Sequence, residues 1–229
     1  MSNLTQISLI NYPGKVAATL FFPGCNFRCG YCHNPDLVNN KKISEQDYFS
    51  LYYSYVKRKK PYISGVCITG GEPLLNYSLV FKLAKRFKEM GLSVKLDTNG
   101  YFPNYIEKLL TFKLVDYIAM DIKSSQKNYS KITGRKIDIS KINKSIKIIK
   151  KSRINYEFRS TVIPRLYSND DAHIISKWLK GSHKYVLQSF SNKAPTVASE
   201  FQKLDPYPLK EMEKLKAIMD PYFQIVELR

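Results

Sequence analysis

The sequence predicts an α/β chain folded as a partial (β/α)6 TIM-like barrel, with parallel strands and the active site at their C-terminal ends. Three observations predict it. Short β-branched or aromatic runs alternate with longer amphipathic stretches along the chain. Polar, glycine-containing segments directly follow the runs. Three of the four cysteines fall within eight residues, immediately after the first run. Repeated strand–helix alternation points to parallel strands joined by right-handed crossovers. In such an array all C-terminal strand ends face one side, so the polar segments converge on one mouth. Six repeats are too few for a closed eight-stranded barrel.

The strand-like runs are Val16–Phe22, Gly65–Thr69, Leu92–Asp97, Val115–Asp121, Ile154–Ile163, Lys184–Phe190 and Phe223–Leu228. Helical patterns lie between them. Ser44 with Asp47 three residues on reads as a capping box opening a helix. Tyr77–Met90 carries Leu79, Val80, Leu83, Ala84 and Phe87 at helical spacing and stops at Gly91 as at a C-cap. Asn104–Phe112 is a shorter candidate. Ser140–Lys151 places Ile142, Ile146 and Ile149 on one face with lysines opposite. Ser168 precedes an acidic first turn and a helix ending near Gly181, and Pro208–Met219 is the last helix.

With 229 residues and no low-complexity linker, the chain is expected to form a single domain over residues 1–229. No apolar run is long enough to cross a bilayer, and Met1–Ile10 lacks the layout of a signal peptide; a cytoplasmic location is expected. Clustered cysteines in a reducing compartment suggest a metal or cluster site, not disulfides. The net charge of +18 fits either a polyanion-binding surface or a lysine-rich solvated surface. The lysines are scattered through nearly every segment, which favours the second.

Each strand end leads into unusual polar residues. The first is followed by Pro23-Gly24-Cys25-Asn26-Phe27-Arg28-Cys29-Gly30-Tyr31-Cys32-His33-Asn34, the second by Gly70-Gly71-Glu72-Pro73, the third by Asp97-Thr98-Asn99-Gly100, and the fourth by Asp121-Ile122-Lys123; Arg159 lies within the fifth. Three thiolates on one loop can hold three irons of a cubane and leave the fourth open. The same cysteines with His33 or Cys67 also make a zinc set, and packing is a third reading. Cys67, alternating with Val66 and Ile68, reads as a small packed residue, and His33 as a packed group beside the site.

Cys-x3-Cys-x2-Cys with an aromatic before the last Cys, then Gly-Gly-Glu-Pro after the next strand, resembles the radical S-adenosylmethionine (SAM) superfamily. The resemblance implies a [4Fe-4S] cluster on Cys25, Cys29 and Cys32, with SAM on the fourth iron. Reductive cleavage of SAM would then yield methionine and a 5′-deoxyadenosyl radical that abstracts hydrogen. It also implies that Gly70, Gly71 and Glu72 receive the SAM amino group, Glu72 as a carboxylate acceptor, and that Tyr31 lies beside the adenine.

A closer resemblance, carried by Tyr-Cys-His-Asn (31–34), Asp-Thr-Asn-Gly (97–100), Asp-Ile-Lys (121–123) and Arg159 before Val-Ile-Pro, is to the glycyl-radical-enzyme activases. It implies that Asp97 and Asp121 lie near the SAM ribose and carboxylate, sharing a monovalent cation with Thr98. Lys123 and Arg159 would neutralise the methionine carboxylate, and Asn34 would also contact SAM. The implied partners are a glycyl radical enzyme, in particular anaerobic ribonucleoside-triphosphate reductase, and reduced flavodoxin or ferredoxin as electron donor. One departure stands out: Asn11 occupies a position where an Asp is expected. The rival readings are a radical SAM enzyme acting on a small molecule or tRNA, and a zinc-dependent nucleic-acid-binding protein. The second gives no role to residues 70–73, 97–100 or 121–123.

Overall fold

Side-chain alternation along the strands organises the molecule. In the computed structural model, which describes residues 4–39 and 44–229, the even-numbered residues of the early strands (Ala18, Leu20, Phe22; Val66, Ile68; Val94, Leu96; Ile118, Met120) belong to one large buried apolar cluster. Their odd-numbered neighbours face the other way, into a barrel interior holding Thr19, Cys67, Lys95, Asp97, Asp121, Glu157 and Arg159. Period-two alternation thus separates an oily outer face, covered by helices, from a polar inner one.

The strands are β1 (Thr5–Ser8), β2 (Ala17–Phe22), β3 (Gly65–Gly70), β4 (Ser93–Thr98), β5 (Tyr117–Asp121), β6 (Asn155–Val162), β7 (Lys184–Ser189) and β8 (Ile225–Leu228). Among the described residues they form one sheet in sequential order, β2 to β8 all parallel and β1 antiparallel to β2. β1 and β8 are its two ends, so the barrel is partial. Six strand–helix units are present, as expected, and a seventh parallel strand follows them. β1 was not expected; Thr-Gln-Ile-Ser is short, polar and half exposed, so it carries little apolar pattern.

The helices are α1 (Pro35–Asn39), α2 (Glu45–Lys59), α3 (Tyr77–Glu89), α4 (Pro103–Thr111), α5 (Tyr129–Thr133), α6 (Ile139–Lys151), α7 (Asn169–Leu179) and α8 (Leu209–Met219). Expected starts and stops hold to within a residue or two. The Ser44 side chain accepts from the Asp47 amide at the head of α2, and Gly91 takes a left-handed φ after α3. Ser168 and Asp171 form a reciprocal capping box on α7. Asp138, not Ser140, caps α6. The five-residue helices α1 and α5 escape sequence reading because one turn shows no periodicity.

The barrel interior is held by charge as well as packing. Glu157 of β6 is fully buried; it accepts from Tyr117 Oη (2.8 Å) and from both Arg229 guanidinium nitrogens (2.9 and 3.0 Å). This ties the end of β8 to β6 across β7. Replacing Arg229 with Ala leaves the Glu157 carboxylate largely unpaired. Breaking a buried pair from one side is costly, and with Arg229 partly solvated the expected loss is about 2 kcal/mol. Urea denaturation of the variant tests this; an unchanged midpoint would show that Tyr117, with Lys184 Nζ at 4.0 Å, satisfies the carboxylate.

Candidate active site

Two loops that are distant in sequence are pressed together by glycine. Gly70 closes β3 at φ +130°, and Gly71 lies against the cysteine loop. A Cβ on Gly71 would overlap the Gly24 carbonyl, and one on Gly70 would overlap the Phe22 backbone. Only a bare backbone allows the hydrogen bonds Gly71 N–H to Phe22 O (2.9 Å) and Glu72 N–H to Gly24 O (2.8 Å).

The cysteine loop is anchored on other sides as well. Arg28 N–H donates to Thr133 O at the end of α5 (2.7 Å), and Asn99 Nδ2 donates to Asn26 Oδ1 (2.8 Å). Val197 and Ala198 amides donate to the Cys32 and Gly30 carbonyls (3.0 and 2.8 Å). His33 donates through Nε2 to Ser191 O (2.6 Å) and stacks on Phe190 at 5.3 Å. It is packed on Phe190 yet also lines the cavity that the cysteines share, whereas Cys67 is fully buried within β3.

Cys25, Cys29 and Cys32 all line one cavity of about 200 Å³. The same cavity is lined by Tyr31, Asn34, Gly70, Gly71, Asp97, Thr98, Asp121, Lys123 and Arg159. Twelve of the thirteen residues expected at the site therefore meet in one place. Glu72 is the exception. Its carboxylate is fully buried under the turn, accepting from Leu74 N (3.1 Å), Thr98 Oγ1 (2.9 Å) and Asn99 N (2.7 Å). It fastens the Gly-Gly-Glu-Pro turn to the end of β4 and does not line the cavity.

Opposite the thiols runs a chain of alternating charge across β4, β5 and β6. Lys95 pairs with Asp97 Oδ1; Arg159 Nη2 reaches Asp97 Oδ2 (3.2 Å); Arg159 Nε reaches Asp121 Oδ1 (2.6 Å); Lys123 Nζ reaches Asp121 Oδ2 (2.8 Å). Sheet register makes this possible, because Asp121 lies directly beside Arg159. Burial by itself would raise both aspartates. The Arg159 guanidinium, with Lys95 at Asp97 and Lys123 at Asp121, outweighs it and holds both below the ordinary carboxylate range. With Lys95 buried outside the cavity, the array of three cations and two carboxylates carries one positive charge in excess, and Arg159 and Lys123 on the cavity wall suit an anionic group such as an amino-acid carboxylate.

Burial pushes the Cys25 thiol up to about 12 and raises Cys29 as well. In the bare chain these are thiols, and taking up metal would release their protons. An iron-sulfur cluster fits the residues present. The three sulfurs share the cavity, the Phe27 amide already points at Cys25 Sγ (3.4 Å), and the buried Asn26 Nδ2 lacks an acceptor. Among the described residues no three His, Cys, Asp or Glu side chains converge on a single-ion position. Each oxygen of Asp97 and Asp121 already meets a protein cation, and Thr98 Oγ1 donates to Glu72 and accepts from Gly100 N–H, so a free monovalent cation would compete with Lys95, Arg159 and Lys123 for these oxygens.

Sequence reasoning passed over Asn99, which lines the cavity and ties Asn26 to β4. It also passed over Lys95, two residues before Asp97 on β4, which in the sequence reads as one lysine among many.

A partial β/α barrel with three thiols at its mouth, facing a net-positive set of buried side chains, defines an enzyme built around a thiolate-held cofactor. The radical SAM superfamily profile matches residues 19–175, and the chain belongs to that superfamily, within its glycyl-radical-enzyme activating group. Relatives include a Methanocaldococcus jannaschii protein that carries the provisional name glycyl-radical enzyme activating enzyme, 33% identical and covering 100% of this chain and 95% of its own. Pyruvate formate-lyase 1-activating enzyme of Escherichia coli K12 is 27% identical, over 88% of this chain and 87% of its own. Among solved structures, SuiB of Streptococcus suis bound to precursor peptide SuiA superposes with a TM-score of 0.68 at 14% identity, over 92% of this chain. Coproporphyrinogen III oxidase (HemN) of E. coli superposes with 0.65 at 13% identity, over 93%. This chain spans 49% and 54% of those two chains, and the likeness concerns the fold. The superfamily's cofactors, a [4Fe-4S] cluster and SAM, are therefore those of this enzyme.

Two outcomes are expected. Gly71→Ala should keep the helical circular-dichroism signal while iron incorporation falls well below about four per chain; full incorporation would show that the two loops need not touch. Glu72 carries the pH dependence. Burial raises its carboxyl from the ordinary 4.5 to about 7, against the Asn99, Leu74 and Thr98 donors that pull it down. A raised acid stabilises the fold below about pH 4.5 and loses that contribution as pH rises to about 7, up to about 3 kcal/mol. Melting curves of the apoprotein should slope downward over that window in wild type and run flatter in Glu72→Gln. Equal slopes would remove the assignment.

Proposed function

We propose that this enzyme activates a glycyl radical enzyme, acting on a glycine in a loop of a partner protein. The observation that carries the reading is the opposition, within one cavity, of three thiols to Asp97, Arg159, Asp121 and Lys123, with Lys95 buried outside the cavity and pairing Asp97. When bound, the cluster and SAM supply a reductively generated 5′-deoxyadenosyl radical; the chain's own groups hold and shield it.

Cys25, Cys29 and Cys32 would hold the cluster. Arg159 and Lys123 would neutralise the methionine carboxylate, with Asp97 and Asp121 fixing their geometry and facing the ribose. The backbone carbonyls of Gly70–Glu72 would accept from the SAM amino group, the Glu72 carboxylate being taken by three protein donors. Tyr31, buried against Phe201 at 6.1 Å, would wall the adenine side, and Asn34 would complete the contacts. The sheet's open edge leaves room for a protein loop.

As partner we propose anaerobic ribonucleoside-triphosphate reductase, on the Ser-Leu-Ile-Asn-Tyr-Pro-Gly segment (8–14) and the compact chain. Asn11 donates to Thr19 Oγ1 (3.1 Å) and remains near the barrel interior where an Asp was expected. Pyruvate formate-lyase is the second reading, favoured by the names of the Escherichia coli relative and of one from Clostridium pasteurianum. Reduced flavodoxin or ferredoxin is proposed as donor, because a +18 chain attracts acidic proteins. No helix among the described residues is long and apolar enough to cross a membrane, and a cytoplasmic site of action is proposed.

The test is anaerobic reconstitution, then dithionite and SAM, reading 5′-deoxyadenosine. Addition of each candidate partner follows, with electron paramagnetic resonance reading a glycyl radical. A glycyl signal with one partner and not the other names the substrate, whereas 5′-deoxyadenosine without any protein radical would move the reading to a small molecule or tRNA. Cys29→Ala should stay soluble and lose the cluster absorbance; an intact cubane in that variant would overturn the ligand assignment.

A further inference from the structure

Lys95 is a lysine inside a barrel, 2% exposed, beneath the floor of the cavity. In register it lies between Cys67 of β3 and Tyr117 of β5. Its ammonium is 3.9 Å from the Cys67 sulfur and 5.8 Å from the centre of the Tyr117 ring. A thiol and a ring face are weak partners for a buried ammonium. Asp97 Oδ1 is the strong one, two residues along the same strand.

We propose that Lys95 is the fixed counter-cation of the SAM site, standing where a free alkali-metal ion would otherwise be needed, so that this enzyme binds SAM without Na+ or K+. Three observations carry this. First, each oxygen of Asp97 already faces a protein cation, Lys95 on one and Arg159 on the other. Second, each oxygen of Asp121 does too, facing Arg159 and Lys123. Third, the five groups already sum to one positive charge, so a further cation would enter against repulsion in a low-dielectric interior. A tethered ammonium also has no site to leave, so Asp97 and Arg159 stay oriented whether or not SAM is present. Lys95 does not line the cavity; it is a positioning residue acting through Asp97.

This rests on SAM being the ligand, and the experiment separates the two questions. SAM affinity of the reconstituted enzyme is measured by isothermal titration at constant ionic strength, with choline, Na+ or K+ as the only cation. Wild type should bind equally in all three. Lys95→Met, which keeps length and removes charge, should bind about tenfold or more weakly in choline, since Asp97 then keeps Arg159 on one oxygen and a buried, uncompensated one on the other, and should recover with K+ or Na+. Thallium(I) NMR gives a readout that needs no SAM: the Met variant should bind the ion and wild type should not. Recovery by an alkali-metal ion cannot come from a merely structural lysine. The proposal is overturned by a wild type whose affinity rises severalfold in K+ or Na+, a result that holds even if the variant fails to fold. It is equally overturned by a folded Met variant whose affinity is unchanged, or is lost without recovery. A wild type binding no SAM under any cation would overturn the ligand assignment itself, with the thallium arm still deciding the cation question.

Discussion

A barrel interior can carry charge only if the charges answer one another, and in this protein the Lys95–Asp97–Arg159–Asp121–Lys123 sequence does so across three adjacent strands. Each buried carboxylate meets two cations, and Arg159 meets two carboxylates. Taking any one of these ions out of water alone would be prohibitive. Together they form an alternating array whose remainder is a single positive charge, with Arg159 and Lys123 on the cavity wall and Lys95 buried outside it. The parallel register supplies the spacing, since residues side by side on β5 and β6 fall within hydrogen-bond reach. The shape of the barrel and the polarity of its mouth are thus consequences of one another.

Opposite this array, the cysteine loop has almost no regular structure of its own and depends on neighbours for its shape. The Gly-Gly-Glu-Pro turn, α5, Asn99 and the segment around Val197 each supply a backbone or amide hydrogen bond to it. Glu72 works from behind, gathering donors from its own turn and from the end of β4. The loop that would hold the cluster and the turn that would meet SAM are fixed to one another before either ligand arrives. Such preorganisation suits chemistry in which a reactive radical must be kept from water and side chains.

Much of this was legible in the chain. The seven strand-like runs, the long helices and twelve of the thirteen site residues were found where alternation and strand-end position put them. What escaped did so for physical reasons. β1 and the five-residue helices α1 and α5 are too short to show a period. Glu72 reads as a carboxylate free to meet an ammonium, and only the folded turn reveals three donors already upon it. Lys95 reads as one lysine among many, because sequence does not distinguish a solvated ammonium from one enclosed by strands.

The sequence by itself determined the class of fold, the three thiols that would hold the cluster and the side of the barrel on which they gather. Those properties follow from local spacing: period two in the strands, helical period between them, and three cysteines on one loop. The tertiary structure alone decided how the charges pair, that the Glu72 carboxylate accepts from three protein donors, and that Asp97 meets Lys95 within the barrel. Those depend on which residues of separate strands stand side by side, and on how completely water is excluded from between them.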